Sequence, residues 1–343
     1  MLVRVAINGF GRIGRLVFRL LNEISNVKVV LINELHADAA MCAYLVNFDS
    51  VHGRWTKTAV ANGKEQIRVD DQDEIRITCE ETIEATPYDV EKVDLVLECT
   101  GVFKQVAQLK AFLKHGVKKV LVACPVKEKG AINVVVGCND DKIEDYDIVT
   151  AASCTTNCIA PIIKVLLEHF TIVRGSITTI HDLTNTQNVI DAPIVGGKKN
   201  DPRRARSALM NLAPTSTGSA TAIAEIFPQL KGKLNGKAIR VPLCNASITD
   251  LVIEVEGSTT AKAVNQYLQT AAASNLKGIL GYETAPLVSS DYVNDPRSSI
   301  VDSLCTMVID GSMVKIFAWY DNEVGYANRM AELCQLLCEK ISP

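Results

Sequence analysis

Apolar positions in the first half of the chain form short continuous runs, and segments with helical periodicity lie between some of them. Such runs are typical of strands buried on both faces, and their alternation with helices favours a parallel sheet in an α/β domain. The predicted strands are Val3–Ile7, Val27–Ile32, Val93–Leu97, Val117–Val122 and Ile132–Val136, and the predicted helices are residues 12–23 and Lys104–His115.

Residues Asn62–Thr82 have a different pattern, in which apolar and polar side chains alternate one by one. This period is typical of strands with one buried face. We therefore expect an antiparallel hairpin, built from residues 65–69 and 74–78, appended to the parallel sheet.

The second half combines longer strands with amphipathic helices, which indicates an α+β domain. A proline at position 161 fits a helix that starts near Asn157, or one that is kinked. The predicted boundaries are 1–152, 153–320, and a last helix in 321–343 that returns to the first domain. The predicted elements are the strands Gly175–His181, Lys237–Leu243, Ser247–Val255 and Met313–Tyr320 and the helices Asn157–Phe170, Thr260–Ala272 and Tyr326–Ile341.

Composition narrows the class of protein. The 343 residues are 48% hydrophobic and 22% charged, with a formal net charge of -3, which argues against sequence-independent nucleic-acid binding. No apolar run approaches the roughly 20 residues of a membrane span, and the first residues fit a strand better than a signal peptide. The 11 cysteines are scattered, which favours reduced thiols. We expect a cytoplasmic protein.

A glycine-rich motif follows the first predicted strand and opens the first helix. Residues 8–14 contain G-x-G-x-x-G, whose glycines let the backbone approach a pyrophosphate at a helix N-terminus. Glu34 follows the second strand, 20 residues beyond Gly14, where an acid hydrogen-bonds the adenosine ribose. Its carboxylate would repel a 2′-phosphate, although a base such as Arg12 would compensate for that repulsion. The motif predicts NAD rather than NADP, against the alternative of a turn without ligand. The predicted contacts are Gly9, Gly11, Gly14 and Glu34.

Cys154 stands just before a helix, at the predicted domain boundary. Helix N-terminal amides stabilise a thiolate, which attacks aldehydes readily. The adduct then loses a hydride to a nicotinamide and becomes a thioester. The alternatives are an ordinary buried thiol and a metal pair with Cys158, which is disfavoured because no histidine or cysteine pair completes a tetrahedron nearby.

Candidates for the base and for anion binding follow in the second half. His181 ends an apolar strand, where an imidazole reaches a site and takes up the thiol proton; a structural histidine is the alternative. Hydroxyls, helix N-terminal amides and guanidinium groups suit phosphate, although a basic stretch is also typical of a solvated loop. These candidates are Lys198, Lys199, Arg203, Arg204, Arg206, residues 215–218 and Arg240.

Several motifs together resemble those of phosphorylating glyceraldehyde-3-phosphate dehydrogenases over essentially the whole chain. That resemblance implies a homotetramer of cytoplasmic subunits with a Rossmann NAD-binding domain first and a mixed-sheet catalytic domain second. Its substrates would be glyceraldehyde 3-phosphate and inorganic phosphate, with no membrane or nucleic-acid partner and no metal. The motifs are Asn8–Arg15, Ala152–Pro161, Thr217-Gly218, Lys233–Pro242 and Trp319–Met330.

The resemblance also assigns roles to residues. Cys154 would be the nucleophile and His181 would activate its thiol. The pyrophosphate would lie on Arg12 and Ile13, and Asn322 would bind the nicotinamide amide. The substrate phosphate or the attacking anion would be held by Thr184, Arg206 and Arg240, with further anion contacts from Ser153, Thr155, Thr217 and Gly218.

The chain departs from the usual family pattern in several places. Glu34 follows Asn33 where Asp is usual, residues 181–184 are His-Asp-Leu-Thr where His-Ala-Tyr-Thr is usual, Val324 replaces a tryptophan, and the loop 194–202 is longer. Three segments resemble a branch encoded beside an arsenate-resistance permease: Asn33–Leu35, Asn47–Trp55 and Ile180–Gln187. In that branch arsenate replaces phosphate, and the permease exports 1-arseno-3-phosphoglycerate.

Two other functions remain open at this point. An erythrose-4-phosphate dehydrogenase would use water in place of phosphate to attack the thioester. A catalytically retired nucleotide-binding regulator is the second alternative, but the joint presence of Cys154, His181 and Asn322 argues against it.

Overall fold

The computed structural model describes residues 2–193 and 201–341, which fall into two compact units. The first unit comprises Met1–Ser153 and Tyr326–Pro343, and the second comprises Cys154–Gly325. The predicted boundaries lay after residues 152 and 320, whereas the observed divisions lie after Ser153 and Gly325. Within the described ranges, none of the helices is both long enough and apolar enough to cross a bilayer.

The first unit is built on a nine-stranded sheet in the order β10-β11-β9-β8-β1-β2-β7-β6-β5. Strands from β10 to β7 run parallel, and the hairpin of β5, β6 and β7 is antiparallel. These strands are β1 (Val3–Asn8), β2 (Val27–Asn33), β5 (Ala59–Asn62), β6 (Gln66–Val69), β7 (Ile75–Thr78), β8 (Leu95–Glu98), β9 (Lys119–Val122), β10 (Ile132–Asn133) and β11 (Ile148–Thr150), with a separate pair β3 (Phe48–Asp49) and β4 (Gly53–Arg54).

Helices accompany this sheet, as the alternating pattern predicts. They are α1 (Arg12–Leu21), α2 (Ala39–Asn47) and α3 (Val106–Lys114). Strand β1 lies between β2 and β8, so the chain order reverses there. A parallel sheet binds ligands at the carboxyl ends of its strands at such a reversal, which places the glycine motif after β1 at the expected edge.

The second unit contains a seven-stranded mixed sheet in the order β13-β14-β12-β15-β18-β17-β16. Its strands are β12 (Ile172–His181), β13 (Ala213–Ser216), β14 (Leu234–Arg240), β15 (Ser247–Val255), β16 (Leu280–Glu283), β17 (Ser299–Ile309) and β18 (Met313–Tyr320). Its helices are α4 (Cys154–His169), α5 (Ser219–Ile226) and α6 (Ala261–Ala273). The last helix, α7 (Val324–Ile341), belongs to the first unit from Tyr326 onward, as predicted. An α/β Rossmann unit followed by a mixed-sheet unit confirms the predicted fold class.

Two local predictions need correction. The helix does not start near Asn157, because α4 begins at Cys154 and continues through Pro161. Strand β17 was missed because its apolar alternation is broken, and its pairing register with β18 shifts between Asp302 and Met307. The hairpin in residues 62–82 is present, and its second strand, β7, also pairs in parallel with β2.

Candidate active site

The loop after β1 is shaped by two glycines that have no room for a side chain. Gly9 has φ +92°, and a Cβ there would lie 2.6 Å from the backbone nitrogen of Thr100. A Cβ on Gly14 would overlap the carbonyl oxygen of Gly9, whereas a Cβ on Gly11 would meet nothing within 4 Å. The turn is therefore closed on the protein side and open above Gly11. An open backbone surface at a helix N-terminus fits a pyrophosphate.

Glu34 lies directly beside this loop. Its Oε2 accepts a hydrogen bond from the backbone N–H of Phe10 at 2.8 Å, and its Oε1 accepts one from the N–H of His36 at 3.1 Å. A cleft next to it is lined by residues including Leu35, His36, Thr78 and Cys79. The carboxylate is held between the glycine loop and this cleft, an arrangement that fits the adenosine half of NAD.

Arg12 and Ile13 form the first turn of α1, so their backbone N–H groups lie at the positive end of that helix. The Arg12 side chain pairs with Asp49. Burial raises the pKa of Asp49, but hydrogen bonds from the backbone of His52 and from Arg12 bring it down to about 2. Arg12 is thus anchored by a carboxylate, and its main chain is the part presented at the helix terminus.

The backbone turns sharply into the helix that carries the candidate nucleophile. Ala152 has φ +52°, in the left-handed region that non-glycine residues rarely adopt. Its carbonyl accepts a hydrogen bond from the Tyr326 hydroxyl at 3.1 Å. Cys154 is then the first residue of α4 and is partly exposed. Strain at a turn is retained where the surrounding structure fixes it, and here it places a sulfur at a helix N-terminus.

Two parallel strands deliver His181 and Arg240 to one place. His181 ends β12, Arg240 ends β14, and the two are direct register partners. The Sγ of Cys154 lies 3.6 Å from Nε2 of His181. The structure therefore brings together three residues that are 27 to 86 positions apart along the chain, which makes a thiol, an imidazole and a guanidinium neighbours.

The thiol and the imidazole shift each other's ionisation. Burial raises the pKa of Cys154. The hydrogen bond and charge of His181, together with the charge of Arg240, lower it by more than burial raises it, so the net shift is downward. Burial lowers the pKa of His181, whereas Asp182 and Cys154 raise it, to about 9. These shifts favour a thiolate–imidazolium pair.

A chain of hydroxyl groups supports the start of α4 from below. The Tyr320 hydroxyl lies 2.9 Å from the Thr155 hydroxyl and 2.8 Å from that of Thr179. All three side chains are buried. The resemblance places Thr155 among the anion contacts. In the structure its side chain is instead hydrogen-bonded within a buried network that joins α4 to β12 and β18.

Arg204 and Arg206 differ in their surroundings. Arg206 pairs with Asp191 at 2.6 Å, with 63% of its side chain exposed. Arg204 has a buried Nε with no hydrogen-bond acceptor among the described residues, as does Arg240, and its charge lowers the pKa of Arg240. Geometry thus favours Arg204 over Arg206 as an anion-binding group.

The remaining anion candidates lie at loop ends. Thr217 accepts a hydrogen bond from the N–H of Ser219, and Gly218 precedes α5. The Thr184 hydroxyl lies 2.9 Å from that of Thr186. Ser153 is partly buried at the end of the first unit. Lys198, Lys199 and most of the 194–202 loop lie outside the described residues.

Sequence reasoning missed Asp182 as a site residue, whereas Thr215 is one of the predicted anion candidates. Asp182 is fully buried beside His181, and Thr215 has a buried hydroxyl without a hydrogen-bond partner among the described residues. Asn322, the predicted nicotinamide contact, is buried with its Oδ1 3.2 Å from the Ser247 hydroxyl. An acid immediately after a strand-end histidine was the one available signal for Asp182.

Family models match both units. Residues 3–106 match the NAD binding domain of glyceraldehyde 3-phosphate dehydrogenase, and residues 153–322 match its C-terminal domain. The chain is 52% identical over 338 residues to glyceraldehyde-3-phosphate dehydrogenase 3 of Nostoc sp., covering 98% of both chains.

The chain belongs to the glyceraldehyde 3-phosphate dehydrogenase family. It is also 45% identical to the enzyme of Priestia megaterium and to glyceraldehyde-3-phosphate dehydrogenase 1 of Bacillus subtilis, over 99% of each chain. Membership confirms the predicted enzyme class, an NAD-dependent dehydrogenase. The glycine turn and the position of Glu34 are the features by which its first unit fits that cofactor.

Proposed function

We propose that the chain oxidises glyceraldehyde 3-phosphate with NAD through a thioester on Cys154, which phosphate or arsenate then attacks. The observation that carries this proposal is the 3.6 Å contact between Cys154 Sγ and His181 Nε2, with Arg240 beside it. Glyceraldehyde 3-phosphate is the substrate for which the relatives at 45 to 52% identity are named.

The first half-reaction uses the thiolate and the imidazolium in turn. The Cys154 sulfur attacks the aldehyde carbon, a C–S bond forms, and His181 gives its Nε2 proton to the carbonyl oxygen. The neutral imidazole then takes that proton back while the C–H bond breaks with its electron pair. Bound NAD supplies the acceptor for this hydride. The product is a thioester with the C–S bond intact.

The second half-reaction needs an oxyanion beside the thioester. Attack by an anion oxygen on the thioester carbonyl breaks the C–S bond and restores the Cys154 thiolate. The buried, unpartnered Nε groups of Arg204 and Arg240 support anion binding here, because guanidinium groups bind tetrahedral oxyanions with charge-assisted hydrogen bonds. We include Arg204 in the site and assign Arg206 to its ion pair with Asp191.

Arsenate fits the same chemistry as phosphate, since the two anions share shape, charge and similar acidity. Attack by arsenate would give 1-arseno-3-phosphoglycerate, and we propose arsenate detoxification, with export by a partner permease, as the biological role. The departures at Glu34 and Asp182 support this assignment through their resemblance to the arsenate-associated branch.

An experiment on the attacking group tests this proposal. Glyceraldehyde 3-phosphate and NAD are mixed with the enzyme in buffer without oxyanion, then with phosphate or with arsenate at equal concentration. We expect one NADH per active site without oxyanion, together with an acyl adduct on Cys154 by mass spectrometry, and steady turnover with either anion. Steady turnover without oxyanion would instead indicate attack by water, as in an erythrose-4-phosphate dehydrogenase.

We also propose a homotetramer. Leu304, Met307, Ile309 and Met313 expose 41 to 60% of their surface along β17 and β18. A row of apolar side chains on one sheet is typical of an interface between subunits. Light scattering on the purified protein tests this, and a monomer mass would contradict it.

A further inference from the structure

A buried carboxylate lies on the side of the His181 ring opposite to Cys154. Asp182 Oδ1 is 2.8 Å from His181 Nδ1, while His181 Nε2 faces the Cys154 sulfur at 3.6 Å. Asp182 is 0% exposed. A carboxylate at that depth is costly unless a donor or positive charge compensates it. Nucleophile, imidazole and acid therefore stand in a continuous row.

A second group competes for the same ring nitrogen. Arg240 Nη1 lies 2.7 Å from His181 Nδ1 and 3.0 Å from the carbonyl oxygen of Asp182. Nδ1 cannot donate to the carboxylate and accept from the guanidinium at once. An imidazolium paired with a thiolate carries protons on both nitrogens, and Arg240 has the carbonyl as its alternative acceptor. Nδ1 also lies 3.1 Å from that carbonyl oxygen, but the carboxylate at 2.8 Å is the nearer and the charged acceptor. The protonated Nδ1 therefore donates to the Asp182 carboxylate.

The carboxylate is held from a neighbouring strand. Ser247 on β15 accepts a hydrogen bond from the Asp182 backbone N–H at 3.1 Å, and its Oγ lies 3.4 Å from Asp182 Oδ1. Ser247 therefore fixes the main chain of Asp182, and its single hydroxyl proton is shared between Asp182 Oδ1 and Asn322 Oδ1, which lies 3.2 Å away. A hydrogen bond with Asn322 lowers the pKa of Asp182, so the carboxylate also has a polar partner there. The orientation of the carboxylate toward His181 is thus set by tertiary packing.

We propose that Asp182 is a positioning residue that acts through His181, keeping Nε2 directed at Cys154 and stabilising the imidazolium beside the thiolate. This inference rests on the roles proposed above for Cys154 and His181. It assigns a function to a position where the usual family pattern has alanine.

Charged and titratable groups reach this row from several elements. They are Cys154 from α4, Arg240 from β14, Tyr320 from β18, and Glu323 just before α7, whose charge raises the pKa of Asp182. Burial raises the pKa of Tyr320 far above its usual value, so that phenol stays neutral while the pair titrates. Burial lowers the pKa of Arg240, and the charge of Arg204 also lowers it.

The carboxylate affects both members of the pair in the same direction. Burial lowers the pKa of His181, and the hydrogen bond that its ring donates to Asp182 is the largest influence that raises it. The negative charge of Asp182 also raises the pKa of Cys154. Removing that charge should therefore lower both pKa values, so the pair should form and dissociate at lower pH.

The pH dependence of thiol alkylation reports the pKa values of Cys154 and His181 as two inflections, without substrate or cofactor. The rate of iodoacetamide modification of Cys154 is followed against pH by mass spectrometry in the wild type, Asp182→Asn and Asp182→Ala. Cys158 serves as an internal reference, because burial raises its pKa to about 12. In both variants we expect both inflections to move to lower pH by about one unit. Asp302→Asn, a buried acid elsewhere in this unit, should leave them in place.

Unmoved inflections, or movement to higher pH, in a folded Asp182 variant would overturn the proposal. Loss of the proposed function is separable, because it shows in turnover and not in the alkylation profile.

The wild type provides a test that does not depend on the folding of a variant. In enzyme labelled with ¹⁵N-histidine, we expect a proton bound to Nδ1 of His181 at neutral pH, assigned by its loss in His181→Asn. A bare Nδ1 would show that Arg240 donates to the ring instead, and Asp182 would then have no positioning role.

Discussion

His181 and Arg240 are direct partners across the parallel strands β12 and β14, with Nδ1 and Nη1 2.7 Å apart. Both strands end at this level, so two side chains 59 positions apart in the chain arrive together. Parallel pairing aligns the carboxyl ends of strands, and it is this alignment that makes an imidazole and a guanidinium share one site.

The nucleophile is the first point to test. Cys154→Ser should lower kcat by at least about a thousandfold, because a neutral hydroxyl replaces an ionised sulfur that forms the covalent bond. NAD binding, followed by fluorescence titration, should persist. Cys244→Ser, at an exposed thiol, is the matched control and should retain activity. Near-normal turnover of Cys154→Ser would discard the thioester mechanism.

Arg204 and Arg206 provide a matched pair of substitutions for the proposed anion site. Arg204→Gln should raise the KM for phosphate by roughly tenfold or more, since it removes a charged donor from a tetrahedral anion. Arg206→Gln breaks an exposed ion pair with Asp191 and should change that KM little. Initial rates over a range of phosphate concentrations give both values. The opposite ranking would return the role to Arg206.

The glycine turn offers a comparison between packing and ligand approach. Gly14→Ala should lower the free energy of unfolding by about 2 kcal/mol or more, because its methyl group overlaps the Gly9 carbonyl. Gly11→Ala should cost less than about 1 kcal/mol, since nothing lies within 4 Å of its Cβ.

Cofactor affinity should separate the same two glycines. The Gly11→Ala methyl group projects into the space open to a pyrophosphate, so we expect NAD binding to weaken by roughly tenfold, or about 1.4 kcal/mol. Urea unfolding and NAD titration of both variants provide the measurements. Equal effects of the two substitutions on stability would refute the assigned packing.

Selection of the cofactor is predicted to depend on Glu34. Glu34→Ala removes the carboxylate that would repel a 2′-phosphate, so the ratio of kcat/KM for NAD over NADP should fall by roughly tenfold. The substitution also vacates the space of the carboxylate and leaves the N–H groups of Phe10 and His36 as donors for a phosphate. An unchanged ratio would mean that other groups exclude NADP.

The sequence determined the elements and the chemistry of this protein. Continuous apolar runs predicted the parallel strands, and strands β15 and β18 match their predicted bounds because every second side chain is buried. The glycine motif predicted its own turn, because a positive φ at Gly9 and a close approach at Gly14 are local requirements. Cys154 and His181 stood out by their positions at a helix start and a strand end.

Only the tertiary structure decided which of these residues meet. Strand order is set by packing between segments far apart in the chain, so the pairing of β12 with β14, and with it the meeting of His181 and Arg240, had no local signal. The same holds for Asp182, whose orientation depends on a hydroxyl 65 positions away, and for the difference between Arg204 and Arg206. Local sequence encodes backbone conformation, whereas burial and charge pairing are properties of neighbours that only folding brings together.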